Sequence, residues 1–382
     1  MNPQHIHLIG VGGVGMAGLA VLLKNRSFEV SGCDTSSSPR LKWLEGKGIK
    51  VFDSHDISHL DGIDKVVATP AVPLTVPERS AAKNLRMRGE VLAEMVSEAT
   101  DSIAVSGSHG KTTTCTFIIR MLLELGEKVE WAVGGETGKF PLAGGEKGGV
   151  LVVEADESDA TLELYKPKLL VITNVDYDHP DKFPTVESYR ACFNTARSNA
   201  EKVIEGEGLT NEEIAVKVLL SRGHSLSEVE KALKKVSSEL PDRRFQKLAE
   251  GVYADYAHHP AEIKYCLKRA KNLAKGKIRV LFQPHRYSRT KRFLDEFATS
   301  FDLADEVILC PVYPAFEKPI EGGTTACLYK RMCDLGRSPL LAKSCEEAWE
   351  CASNSKSEGD VTLVMGAGDI INIASIINIK RK

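Results

Sequence analysis

The chain has 382 residues, so two or three domains are expected. Its formal net charge is −2 and its apolar and charged contents are ordinary, which leaves no bulk attraction to nucleic acid or to a membrane surface. Met1-Asn-Pro-Gln-His-Ile-His7 lacks the charged region and apolar core of a signal peptide, no apolar run approaches a membrane span, and nine cysteines stand without a CxxC pair or metal-ligand spacing, so a cytoplasmic protein with reduced thiols is expected.

Residues 6–10 read as a first strand, followed by Gly10-Val-Gly12-Gly13-Val-Gly15 and a helix from Met16 to Lys24. Phe28 to Asp34 reads as a second strand, ending on an acidic residue 19 positions after Gly15. This is a dinucleotide-type fingerprint in a βαβ setting. Glycines allow the backbone close to a diphosphate, and the helix start offers N–H groups to it. Gly10, Gly12, Gly13, Gly15 and Asp34 are therefore candidate ligand residues, for NAD or equally for a nucleotide sugar. Val51-Phe52 and Lys65 to Thr69 read as further strands, and Glu90 to Val96 as a short helix. The first domain is placed at residues 1–98.

Ser102-Ile-Ala-Val-Ser106 suits a buried parallel strand. Gly107-Ser108-His109-Gly110-Lys111-Thr112-Thr113-Thr114 then turns into a helix closed by Gly126. Strand, Gly-rich turn, Lys-Thr and helix form the setting of a P-loop, although Val105 stands where the strict pattern has its first Gly. There Lys111 can reach terminal phosphates and the Thr112 hydroxyl can sit on Mg²⁺. Cys115, just inside the helix, reads as a packing residue. An apolar strand delivers the carboxylates of Glu154-Ala-Asp-Glu-Ser-Asp159, suited to holding Mg²⁺ on nucleotide phosphates, and a second ends at His179. Residues 184–204 and 209–236 read as helical, and Pro241-Asp-Arg-Arg244-Phe as a linker, so the second domain is placed at 99–240.

The third domain, 241–382, begins with a strand leading into Asp255-Tyr-Ala-His258-His259. Ile278 to Phe282 is a strand followed by His285-Arg286-Tyr-Ser-Arg289, where the two guanidinium groups suit carboxylate or phosphate. Glu306 to Cys310 and Val361 to Met365 are two more strands. Alternating strands and helices throughout predict an α/β protein. Its three domains are a Rossmann-like N-terminal domain, a P-loop ATPase-type central domain and a Rossmann-like C-terminal domain.

These motifs, with Arg243-Arg-Phe245, Phe282-Gln-Pro-His285 and Val312-Tyr-Pro-Ala315, stand together in the order seen in the Mur ligases, which the chain resembles over all three domains. That family forms amide bonds with ATP during peptidoglycan synthesis. The resemblance implies ATP and Mg²⁺ as cofactors and UDP-N-acetylmuramate and L-alanine as substrates, joined through an acyl phosphate by a monomer or homodimer. Lys111, Glu154, His179, Arg244 and Asp255 would be catalytic. ATP would meet Gly107, Ser108, His109, Gly110, Lys111, Thr112, Thr113, Asn211, Arg244 and Asp255, and the metal Thr112, Glu154 and His179. The UDP-sugar would lie on the first glycine loop, and the amino acid near His258, His285, Arg286 and Arg289. Ser158 stands where the murein-peptide recycling ligases usually have Tyr, which favours the alanine-adding activity. Family members usually carry several tens of residues more between His179 and Arg243, and a Gly-x-His-Asn-x-x-Asn signature of which only Asn211 has a counterpart. Some central strands are therefore expected to be missing. Two alternatives stay open, a non-catalytic UDP-sugar-binding relative and the recycling ligase. A nicotinamide dehydrogenase fits the first loop alone and leaves the P-loop without a role.

Overall fold

Short β-branched runs separated by helix-length segments build three sheets. A computed structural model describes residues 3–36, 38–135, 140–179, 182–237, 245–315, 317–354 and 357–373. The first sheet contains β1 (His5–Ile9), β2 (Glu29–Cys33), β3 (Lys50–Phe52), β4 (Lys65–Ala68) and β5 (Leu85–Met87), all parallel in the order β3-β2-β1-β4-β5. The order reverses between β1 and β4, and in such a sheet ligands sit beyond the strand ends at that switch point. Gly10, at φ +81°, makes the turn out of β1 that opens helix α1 (Val14–Asn25) there. Helix α2 (Pro39–Gly46) has Pro at its first turn and is capped by the Ser38 side chain, which accepts from the Arg40 N–H. Two more helices follow, α3 (Pro77–Ala81) and α4 (Arg88–Glu98).

The second sheet contains β6 (Ser102–Ser106), β7 (Val129–Ala132), β8 (Ala143–Gly145), β9 (Val150–Glu154), β10 (Leu169–Ile172) and β11 (Lys202–Glu205), in the order β11-β10-β6-β9-β7-β8. Only β8 runs antiparallel to its neighbour. Strands β6 and β9 are buried along their whole length, as their unbroken apolar runs require. Helix α5 (Lys111–Glu124) leaves the P-loop. The segment expected as one helix over 184–204 is instead α6 (Val186–Asn199) followed by β11, because Lys202-Val-Ile-Glu205 pairs residue for residue with β10. The segment 209–236 divides into α7 (Asn211–Ser221) and α8 (Leu226–Ser237) at Gly223, φ +96°. Despite its short central segment, this sheet keeps six strands among the described residues.

Helix α1 packs on β7 and β8, so the first two sheets share one hydrophobic core. Gly18 allows the approach, since a Cβ there would lie 3.4 Å from the Ala132 Cβ. Beside it Arg26 Nη2 lies 3.0 Å from Glu130 Oε2, a carboxylate whose side chain is 2% exposed. By internal contacts the chain divides into Met1–Glu239 and Leu240–Lys382.

The second of these units carries the third sheet. It consists of β12 (Gln246–Ala249), β13 (Val252–Asp255), β14 (Ile278–Phe282), β15 (Glu306–Leu309), β16 (Leu340–Leu341) and β17 (Val361–Met365), ordered β12-β13-β17-β14-β15-β16. All neighbours are parallel except β12 and β13. Helix α9 (Pro260–Leu273) follows β13, and α10 (Tyr287–Arg292) follows β14. Arg279, in the middle of this sheet, is 1% exposed and is neutralised by Glu306 and by Asp360 Oδ2 at 3.1 Å.

Candidate active site

The P-loop turns between β6 and α5 over Gly107–Gly110. Gly107 sits at φ +131°, where a Cβ would lie 2.1 Å from Thr173 Oγ1, and Gly110 at φ +78°. A side chain at Gly107 would collide with Thr173 and the Asn174 backbone, and one at Gly110 with Asn211, so either would displace the loop. The His109 N–H donates to Asn174 Oδ1 at 2.9 Å, and the Ser108 hydroxyl to the Asp176 carbonyl at 2.6 Å, so the strand after β10 braces the loop. Thr113 is buried in the first turn of α5. Asn211, the first residue of α7, lies against the loop: its Oδ1 accepts from the Thr114 hydroxyl at 3.1 Å, and a Cβ at Gly110 would come within 2.6 Å of it.

Lys111 donates to the Gly107 carbonyl at 2.8 Å and to both Glu157 oxygens at 3.0 Å. Burial alone would lower the ammonium's pKa, but Glu157, Asp156 and Glu154 outweigh it and hold Lys111 above the ordinary lysine range. Burial raises the Glu157 carboxyl, with Lys111 opposing and Asp156 adding to the rise. His179 stands at φ +55° with Nε2 3.7 Å from Glu157 Oε1 and 3.8 Å from Asp178 Oδ2. The Thr112 hydroxyl donates to Glu154 Oε2 at 2.8 Å, and the Gly134 N–H reaches the same oxygen at 2.9 Å. A hydroxyl and a carboxylate this close offer the hard oxygen donors that Mg²⁺ prefers, so the residues present fit that ion.

The glycine loop of the first sheet opens on the same place. A cleft of about 420 Å³ is bounded by Gly13, Val14 and Gly15 on one side and by Glu154, Asp156 and Asp159 on the other. Ser158 also lines it. Arg88, the first residue of α4, crosses the cleft floor. Its guanidinium packs against Gly15 and donates to Asp159 Oδ2 at 2.8 Å. Asp34 accepts from the Gly12 N–H at 2.9 Å and from the Ser36 N–H at 2.8 Å, so it shapes the glycine loop directly.

In Leu240–Lys382, the ends of β13 and β14 gather the remaining residues. Asp255 accepts from the Phe245 N–H at 2.7 Å and the Ala257 N–H at 2.8 Å. The His258 and His285 rings meet edge to face with centroids 5.7 Å apart, His285 stacks on Tyr313, and Arg289 Nη1 lies 3.4 Å from His285 Nδ1. Arg286 has φ +69°, unusual for a residue with a side chain, and its N–H donates to the Tyr313 carbonyl at 2.8 Å. Burial, then His258, Arg289 and Arg286, bring the His285 pKa down to about 4. Arg244 lies outside the described residues.

Sequence reasoning singled out Glu154 and passed over Glu157 and Arg88. Glu157 belongs to a carboxylate cluster that was visible, but nothing in its spacing says which member turns toward Lys111. Arg88 follows β5, a three-residue strand with no pattern of its own.

Three family sequence models match successive parts of the chain: Mur ligase family, catalytic domain, at residues 5–102; Mur ligase middle domain at 105–202; and Mur ligase, glutamate ligase domain, at 243–368. A UDP-N-acetylmuramate–L-alanine ligase of Solibacter usitatus is 31% identical over 447 aligned positions, covering 97% of this chain and 93% of the relative. One from Carboxydothermus hydrogenoformans is 32% identical, covering 96% and 94%. The first alignment is longer than this chain's 382 residues, so the chain is shorter than that relative within the matched span. The crystal structure of the UDP-N-acetylmuramate-alanine ligase of Thermotoga maritima superposes with a TM-score of 0.72 at 25% identity, covering 99% of each chain.

Proposed function

Because the chain belongs to the Mur ligase family, we propose that it joins L-alanine to UDP-N-acetylmuramate at the expense of ATP. The observation that carries this reading is the shared cleft. The diphosphate-type glycine loop and the carboxylate end of β9 line one space, so a nucleotide sugar on the loop would extend its own carboxylate toward Glu154 and the P-loop. The solved relatives with bound ADP or AMPPNP are folate-pathway ligases of 16–17% identity, and they support the fold alone.

In this reading the muramate carboxylate attacks the γ-phosphorus of ATP, ADP leaves, and an acyl phosphate forms. The alanine amine then attacks the acyl carbon, and inorganic phosphate leaves. Lys111 offsets the repulsion between the two anionic reactants, and the P-loop N–H groups orient the phosphates. Thr112 and Glu154 would hold Mg²⁺, which when bound would supply further charge neutralisation to the phosphates. Glu157 fixes the Lys111 ammonium, and His179 faces the same carboxylate. Asp255 and Arg244 serve ATP from the C-terminal domain. His285, neutral at physiological pH, and the guanidinium groups of Arg286 and Arg289 receive the amino acid and its carboxylate. Domain limits of 1–98, 99–240 and 241–382 accompany this assignment.

The test is phosphate release with each substrate withheld in turn and with L-alanine, glycine and L-serine compared. Release that requires UDP-N-acetylmuramate and an amino acid, fastest with L-alanine, supports the reading. Tight UDP-sugar binding without any turnover would overturn it in favour of a binding protein, and turnover only with a peptide in place of alanine would indicate the recycling activity.

A further inference from the structure

The face of the first sheet that carries Ile9 is covered by the turn Ile57–Leu60 and by α3, and a polar cluster is sealed beneath them. His7 on β1, Cys33 at the end of β2, His59 in the turn and Glu78 on α3 bring one donor atom each to within 4.8 Å of one another. His7, Cys33 and Glu78 are fully buried. Glu78 Oε1 lies 2.6 Å from His59 Nδ1, and Glu78 Oε2 lies 3.1 Å from Cys33 Sγ. These four residues are scattered over more than seventy positions, so no ligand spacing was visible in the sequence.

An independent feature points to a ligand. His7 Nδ1 is bonded to Ser31 Oγ at 2.9 Å, while its Nε2, buried and aimed into the cluster, has no hydrogen-bond partner. Glu78 Oε1, at 3.7 Å, is too far to serve as one. A buried nitrogen without a partner requires an explanation. In the tautomer whose Nδ1 donates to Ser31, the Nε2 lone pair points at a carboxylate, and a cation between them satisfies both. We propose that His7, Cys33, His59 and Glu78 form a binding site for zinc(II).

Two imidazoles, a thiolate and a carboxylate are the borderline donors that suit Zn²⁺, whereas Mg²⁺ would refuse the sulfur. Bonds of about 2.0–2.3 Å in a tetrahedron place donors roughly 3.3–3.8 Å apart, so the contacts of Glu78 with His59 and Cys33 must spread a little and the widest pairs contract by about 1 Å. The surroundings orient the donors as metal sites require. Ser31 fixes the His7 ring, Phe52 stacks on His59 at 3.9 Å, and His55 Nδ1 holds Glu78 Oε2 at 2.8 Å. Burial keeps His7 neutral, with its pKa lowered to about 4, which is the ligating form. Burial and Glu78 hold the Cys33 thiol protonated well above its ordinary range until a cation displaces the proton. On binding, the sulfur–zinc bond replaces the S–H bond and the proton leaves to solvent, with no redox change. Four protein donors leave no open position, so the ion is structural: it staples the turn Ile57–Leu60 and α3 onto β1 and β2.

The full chain is stripped with a chelator and titrated with Zn²⁺ alone, and then with Co²⁺ as a spectroscopic substitute. One zinc per chain, a rise in Tm on adding zinc, and a thiolate-to-cobalt charge-transfer band are expected. Cys33→Ser should abolish that band while the other cysteines remain, and His59→Asn should weaken zinc binding by tenfold or more. Circular dichroism checks each fold, and the wild-type cobalt spectrum stands if either variant fails to fold. Absence of stoichiometric zinc, absence of a thiolate band in wild type, or a band that survives Cys33→Ser would overturn the proposal. None of these readouts depends on ligase turnover.

Discussion

Lys111, proposed to be catalytic, and Glu157 illustrate how a cation is stored in a buried place. Glu157 is 0% exposed, and Lys111 supplies both of its short ionic contacts. Lys111→Ala should therefore do two separable things. It should abolish phosphate release, and it should cost about 3–5 kcal/mol of stability by leaving a buried carboxylate without its cation. Adding Glu157→Gln to Lys111→Met should recover most of that stability, to within about 1 kcal/mol of wild type, without restoring turnover. Urea melts and a phosphate-release assay on the same proteins separate the two effects, and a double variant that turned over would remove Lys111 from the mechanism. His285 gives a pH counterpart. Its folded-state pKa of about 4 lies below the ordinary histidine value of 6.5, so the unfolded chain binds more protons in that interval. Stability is then complete above about pH 6.5 and falls as the pH drops toward 4. His285→Gln should shrink the Tm difference between about pH 7 and pH 4.5. An unchanged Tm difference would mean that His285 is solvated. The sequence showed Lys111 through its motif, because the loop, the Lys and the helix are contiguous. It could not show Glu157, whose role depends on how the turn after β9 aims one carboxylate among several.

The strand–loop–helix element β6–α5 works because its turn has no room for side chains. At Gly107 a Cβ would meet Thr173 Oγ1 at 2.1 Å and the Asn174 backbone at 2.9–3.0 Å, at a φ of +131° that L residues rarely adopt. Gly107→Ala is expected to destabilise the protein by about 2 kcal/mol or more and to raise the KM for ATP at least tenfold, measured by thermal unfolding and initial rates. A neutral result in both would show that the loop is looser than its packing implies. Elements with unbroken apolar runs, such as β6, β9 and β14, were legible in the sequence for the same reason that they are buried on both faces. The marginal ones were not. β11 follows α6 closely, and its Lys202-Val-Ile-Glu205 has no more strand character than helix character until β10 supplies a partner. β5 and β8 have three residues each, and β16 two, too short to carry a period.

At the scale of the whole molecule, the two glycine-rich loops belong to one compact unit, Met1–Glu239, while Asp255, His258, His285, Arg286 and Arg289 belong to the other. The cleft between the glycine loop and Glu154 is complete within the first unit, lined wholly by its own residues. Binding of the UDP-sugar and completion of the chemistry should therefore separate by mutation. Asp255 accepts one backbone N–H on each carboxylate oxygen, Phe245 on Oδ2 and Ala257 on Oδ1, so Asn keeps one of these bonds and loses the other, and circular dichroism on the variant checks that the fold is retained. Asp255→Asn should leave the Kd for UDP-N-acetylmuramate within about twofold of wild type and lower kcat by roughly a hundredfold. Arg88→Ala should do the reverse in kind. It removes the guanidinium that joins Gly15 to Asp159 across the cleft floor, so sugar-nucleotide affinity should fall before turnover at saturation does. Calorimetry and steady-state rates on the two variants decide the matter. If Asp255→Asn weakened sugar-nucleotide binding as much as Arg88→Ala does, binding would require both units, and the cleft of the first would not be the primary site.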